Sequence, residues 1–85
     1  MLSYVAVVAI DYDSAEPPYR QLAAILRHRI EAGEITARLP GEKDLVIEFG
    51  MALATVRKAV RVLRDDGLVR TVPGWGTYVV KPEES

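Results

Sequence analysis

Apolar positions along the chain fall into groups of different spacing, and each spacing predicts an element. Leu22, Ile25, Leu26 and Ile30 recur at three- and four-residue steps, with Arg29 on the same face. Pro17 and Pro18 suit the first turn of a helix but not its interior, and Gly33 follows the last periodic position, so a first helix is predicted over about residues 18 to 32. Gly41-Glu42-Lys43-Asp44 has the form of a second helix start, with two acids where the helix dipole favours them. Leu45, Val46 and Phe49 give that helix an apolar face, and Gly50 ends it. A third helix follows at once, striped by Val56, Ala59, Val60 and Leu63 and stopped by Gly67. Two other patterns lack the helical repeat. The uncharged, β-branched run Tyr4 to Ile10 predicts an N-terminal strand, followed by a turn-rich loop from Asp11 to Pro18. Leu68 to Val72 and Thr77 to Val80, separated by Pro73-Gly74-Trp75-Gly76, predict a hairpin.

The second and third helices are separated only by Gly50-Met51-Ala52, too short a link for a loosely joined pair, so they must meet at a sharp angle. Val46, Gly50 and Val56 stand at the spacing of a helix-turn-helix, in which a glycine permits a tight turn and close packing. With the apolar stripe of the third helix buried, Arg57, Lys58, Arg61 and Arg64 form an outward basic ridge on an element that fits a DNA major groove. The residues at the start of such a helix, Ala54 and Thr55 here, come closest to the bases. A solvated basic face is the competing reading for that helix taken alone.

Charge distribution sharpens the picture. The formal net charge of −1 argues, as a global figure, against nucleic acid. Residues 1 to 18 carry three acids and no base, however, while residues 51 to 80 carry five bases against two acids. Composition, 49 % hydrophobic and 27 % charged, is that of an ordinary globular protein, and 85 residues make one small core of modest stability, about 4 to 13 kcal/mol. With no cysteine, disulfides, thiolate metal sites and thiol nucleophiles are excluded. The single histidine, His28, lies in a basic run without a partner, so neither a metal nor a cofactor is expected and no catalytic constellation is visible. The uncharged stretch from Met1 to Ile10 is too short to span a bilayer and lacks a basic flank, which predicts a cytoplasmic protein.

In order along the chain, PPYRQLAAILRHRIEAG, LPGEKDLVIEFG, ATVRKAVRVLRDDGLV and GWGTYV resemble successive blocks of the winged-helix domain of GntR-type bacterial transcription regulators. The match runs roughly from Pro17 to Val80. The resemblance implies an α+β winged helix-turn-helix, three helices with a two-stranded C-terminal wing, to which the N-terminal strand adds. It divides the chain into a strand and acidic loop (1–16), the winged helix (17–80) and a tail (81–85). It further implies binding to double-stranded DNA as a small regulator, most simply a repressor, at a palindromic operator, with the third helix in the major groove and the wing at the adjacent minor groove.

Carried over by position, the implied contacts are Lys43, Thr55, Arg57 and the wing residues Gly74, Trp75, Gly76 and Thr77; the basic ridge and the helix start add Lys58, Arg61 and Ala54. The chain departs from the family pattern in several places, among them a connection before Leu39 that is about two residues shorter than usual. Lys43 replaces an arginine and supplies a point charge rather than a bidentate fork. Ala52 and Leu53 replace a capping hydroxyl and a cation in the turn, Gly41 replaces a capping serine, and Trp75 stands where many relatives carry a polar residue. These departures, with the acidic net charge, leave a protein-binding winged helix as the alternative. Trp75 is read as a contact with DNA or a partner, its competing role being core; Tyr12, Tyr19 and Tyr78 are read as core or cover. No small-molecule effector site is legible, and Met1 favours a stand-alone regulator. An uncharged strand at residues 4 to 10 is expected to pair with the wing sheet or with its copy in a homodimer.

Overall fold

The computed structural model describes residues 10–81: three helices, α1 (Pro18–Glu31), α2 (Glu42–Phe49) and α3 (Leu53–Asp65), followed by strands β1 (Val69–Val72) and β2 (Gly76–Val79). The predicted N-terminal strand, apart from Ile10, and the tail from residue 82 lie outside the described residues. Pro17, Gly41 and Ala52 occupy the three N-cap positions, and none makes a side-chain capping hydrogen bond. Burial of the apolar stripes rather than local capping therefore holds the helix starts.

Leu22, Ala23 and Leu26 of α1 pack against Val56, Ala59, Val60 and Leu63 of α3, and Leu45 of α2 completes the cluster. Burying each of the larger side chains stabilises the fold by about 1.5 to 3 kcal/mol. The periodicity predicted most of this core. Ile25 is only half-buried, whereas Leu39 and Met51, which belong to connections and carry no repeat, are buried. Ion pairs tie the helices from outside: Arg29 to Glu48 at 2.7 Å between α1 and α2, and Arg27 of α1 to Asp66 just beyond α3. The hydrogen bond with Glu48 holds the Arg29 guanidinium above the usual arginine range, and the same guanidinium lies 5.4 Å from the Phe49 ring centroid.

The hairpin is antiparallel, with Val69 opposite Val79, Arg70 opposite Tyr78, Thr71 opposite Thr77 and Val72 opposite Gly76. The Trp75 N–H donates to the Val72 carbonyl at 2.9 Å across Pro73 and Gly74, whose φ of +80° fits the third position of a type II turn. That bond closes the turn early. Gly76, predicted as part of the turn, is therefore the first residue of β2, while Leu68 falls just outside β1.

The segment before α2, expected to be a plain connection, is paired as well. The Leu39 N–H donates to the Thr77 carbonyl at 2.8 Å, the Val79 N–H donates to the Ala37 carbonyl at 2.7 Å, and Arg38 forms an antiparallel bridge with Tyr78. The far edge of β2 is thereby covered instead of standing open. At the other end, Gln21 fixes the acidic loop, accepting from the Asp11 N–H and donating to the Asp11 and Glu16 carbonyls, each at 2.8 Å. Tyr12, expected to belong to the core or its cover, is 61 % exposed.

Candidate nucleic-acid interface

The link between α2 and α3 turns on Gly50, whose φ of +65° and ψ of 32° put it in the left-handed region while its N–H donates to Val46 at 2.8 Å. Met51 plugs the turn from inside, and Ala52 opens α3 in an extended conformation with φ −64° and ψ 149°. This joint presents the first turn of α3 at the surface. Leu53 and Ala54 are exposed there, and Thr55 is half-buried.

The remaining cations divide according to what holds them. Arg27, Arg29 and Arg64 are committed inside the molecule, the last through a 3.2 Å hydrogen bond from Nη1 to the Thr71 hydroxyl. Arg64 stays exposed, as expected of the outward ridge, and also ties α3 to the wing. Lys43, Arg57, Lys58 and Arg61 are exposed. Lys43 and Arg61 make no hydrogen bond or ion pair among the described residues. Lys58 rests its ammonium 4.3 Å from the Tyr19 ring centroid, so an α1 residue read as packing alone also orients a cation of α3. Arg57 is the most ordered of the four: its Nε donates to both carboxylate oxygens of Glu42, at 3.1 and 3.2 Å. Its two Nη groups stay free among the described residues, a fork suited to a guanine edge or a phosphate.

On the wing, Trp75 is 70 % exposed, which excludes the core role for it. Gly74 sits at the tip, and Gly76 lies beneath the side chain of Arg38, a contact that sequence reading did not find. Thr77 is turned inward, its hydroxyl 3.2 Å from that of Thr71, and so continues the tie from Arg64. Tyr78 is half-buried, in keeping with a cover role. His28 is exposed, and the described residues hold no cluster of metal-ligating side chains.

Three helices, a two-stranded wing and a cationic α3 face joined to it define a winged helix-turn-helix of the DNA-binding class. Residues 18–79 match the family model described as "Bacterial regulatory proteins, gntR family", and the chain belongs to the GntR family. It is 41 % identical over 66 residues to the mannosyl-D-glycerate transport/metabolism system repressor MngR of Escherichia coli (strain K12), covering 75 % of this chain and 28 % of that protein. It is 36 % identical over 76 residues to the transcriptional repressor NagR of Bacillus subtilis (strain 168), covering 87 % of this chain and 31 % of NagR. The chain therefore spans about three tenths of the length of these curated relatives. Among solved structures it is similar to the DNA-binding domain of AraR in complex with operator ORX1, with a TM-score of 0.74 and 34 % identity over 76 % of this chain and 81 % of that one. Among the described residues, no helix is long and apolar enough to cross a membrane.

Proposed function

We propose that the chain binds double-stranded DNA in a sequence-specific manner as the operator-reading domain of a bacterial transcription regulator, acting as a repressor in the cytoplasm. The observation that carries this reading is the exposed cationic face of α3, on which Arg57 is aimed by Glu42, Arg61 is unpaired among the described residues, and Arg64 is hydrogen-bonded to the wing. Arg57 reads a base edge from the first turn of α3, Ala54 and Thr55 approach the bases beside it, and Lys43, Lys58 and Arg61 neutralise phosphates. Gly74, Trp75, Gly76 and Thr77 bring the wing to the adjacent minor groove. The operator is a palindrome read by two copies, one per half-site, because a single module of this size offers few contacts. The AraR domain was solved on operator DNA, and both repressors named above are similar to this chain, which supports the same partner here.

The test is binding of the purified chain to a pool of short duplexes across a salt series, beside an Arg57→Ala, Arg61→Ala double variant. Selection of a two-fold symmetric sequence, a log-log salt slope of about −5 for six phosphate contacts, and loss of binding in the variant are expected. Failure of the native chain to bind any duplex at moderate salt would sink the proposal.

A further inference from the structure

We infer that Arg38, from the connection between α1 and α2, is a DNA-contacting residue of the wing, carrying its guanidinium to the minor groove beside the hairpin tip. This rests on the DNA-binding reading above and adds a cation beside the hairpin tip, where Pro73, Gly74, Trp75, Gly76 and Thr77 bring no charge; the hairpin's own Arg70 lies further back, in β1. The backbone of Arg38 is bridged to Tyr78 and flanked by the hydrogen bonds of Leu39 and Ala37 to β2. Bridged residues share a face of a sheet, as do alternate residues of one strand, so Arg38, Tyr78 and Gly76 stand on the same side.

From that anchor the side chain runs along β2 toward the tip. A Cβ at Gly76 would lie 2.8 Å from Arg38 Nε and 3.3 Å from Nη2. The guanidinium therefore lies on the bare backbone of Gly76, a seat that a side chain would fill, and the φ of +137° there independently favours glycine. Arg38 is exposed and makes no hydrogen bond or ion pair among the described residues, unlike Arg27, Arg29, Arg57 and Arg64. Its charge is thus available where Trp75 projects into solvent.

The opposite face of the hairpin is tied to α3 through Arg64, Thr71 and Thr77. With α3 in a major groove, that tie sets the hairpin tip over the neighbouring backbone and minor groove. Narrow, A·T-rich minor grooves concentrate negative potential and attract arginine, so Arg38 confers a preference for A·T-rich sequence flanking the base pairs that α3 reads.

The experiment compares the native chain, Arg38→Ala, Arg38→Lys and Arg57→Ala on a duplex selected by the native chain, prepared with A·T-rich or G·C-rich flanks, across a salt series. Arg38→Ala keeps the native circular dichroism and thermal midpoint, binds the A·T-flanked duplex about 5- to 30-fold more weakly at low salt, lowers the salt slope by about one, and no longer distinguishes the flanks. Arg38→Lys keeps the slope and loses most of the flank preference, because an ammonium is a more strongly hydrated point charge. Arg57→Ala weakens binding to both duplexes alike. A lowered slope with an unchanged flank ratio would place Arg38 on phosphate alone and overturn the minor-groove assignment. Equal affinity, slope and flank ratio in Arg38→Ala overturns the role of Arg38 while native binding leaves the DNA-binding reading intact; no binding by the native chain overturns both.

Discussion

Arg57 in the first turns of α3 is held by Glu42, the first residue of α2, through two hydrogen bonds from Nε at 3.1 and 3.2 Å. Both side chains are about half exposed, so the pair adds little to stability. Its effect is directional. The carboxylate fixes the plane of the guanidinium, leaves the Nη fork outward, and lowers the net positive charge at the start of α3.

Glu42→Gln separates these consequences. Removing the negative charge raises affinity for unrelated duplex about two- to fivefold at low salt, whereas a less firmly aimed Arg57 lowers the ratio of selected to scrambled binding about three- to tenfold. Titration of both duplexes checks this. A ratio equal to the native one would show that Arg57 needs no support from Glu42.

Ala52 occupies the N-cap of α3 with extended backbone, is exposed, and leaves the N–H groups of the first turn without a side-chain acceptor. Ala52→Ser supplies that acceptor and stabilises the fold by about 0.5 to 2 kcal/mol, raising the thermal midpoint by roughly 4 to 8 °C per kcal/mol. Thermal unfolding followed by circular dichroism reads the shift directly.

Gly50→Ala probes the joint between the two helices. A Cβ there meets nothing within 4 Å, so crowding is absent, but the φ of +65° remains. The expected cost is about 1 to 2 kcal/mol, from backbone strain alone. Urea unfolding should show a lower midpoint with an unchanged slope; a native-like midpoint would mean that the turn relaxes freely.

Trp75 is the only tryptophan and projects from the wing, so its emission reports on the wing alone. Water-exposed, red-shifted emission is expected for the free chain, with quenching or a blue shift on adding selected duplex. Trp75→Ala should leave stability within about 0.5 kcal/mol of native and weaken DNA binding about three- to tenfold. Emission that ignores saturating DNA would remove Trp75 from the interface.

Much of this architecture is local and so is readable without coordinates. The three- and four-residue repeats located α1 and α3, the α3 core positions Val56, Ala59, Val60 and Leu63 followed from them, and Gly50 and Gly67 marked the helix ends. The amphipathic stripe also showed that Arg57, Lys58 and Arg61 would face outward, because burying one face of a helix exposes the other. Tertiary structure decided which cations remain available. Glu42 lies 15 residues from Arg57, Asp66 lies 39 from Arg27, and Arg64 and Thr71 meet only because the hairpin folds back on α3. Nor does any repeat foretell that Arg38, from an apparent loop, pairs with Tyr78 and lies over Gly76. Helical and strand periods arise from bonding between near neighbours and are written into consecutive residues. The partner of a long, flexible charged side chain depends instead on where distant segments are packed, and only the assembled core sets those distances.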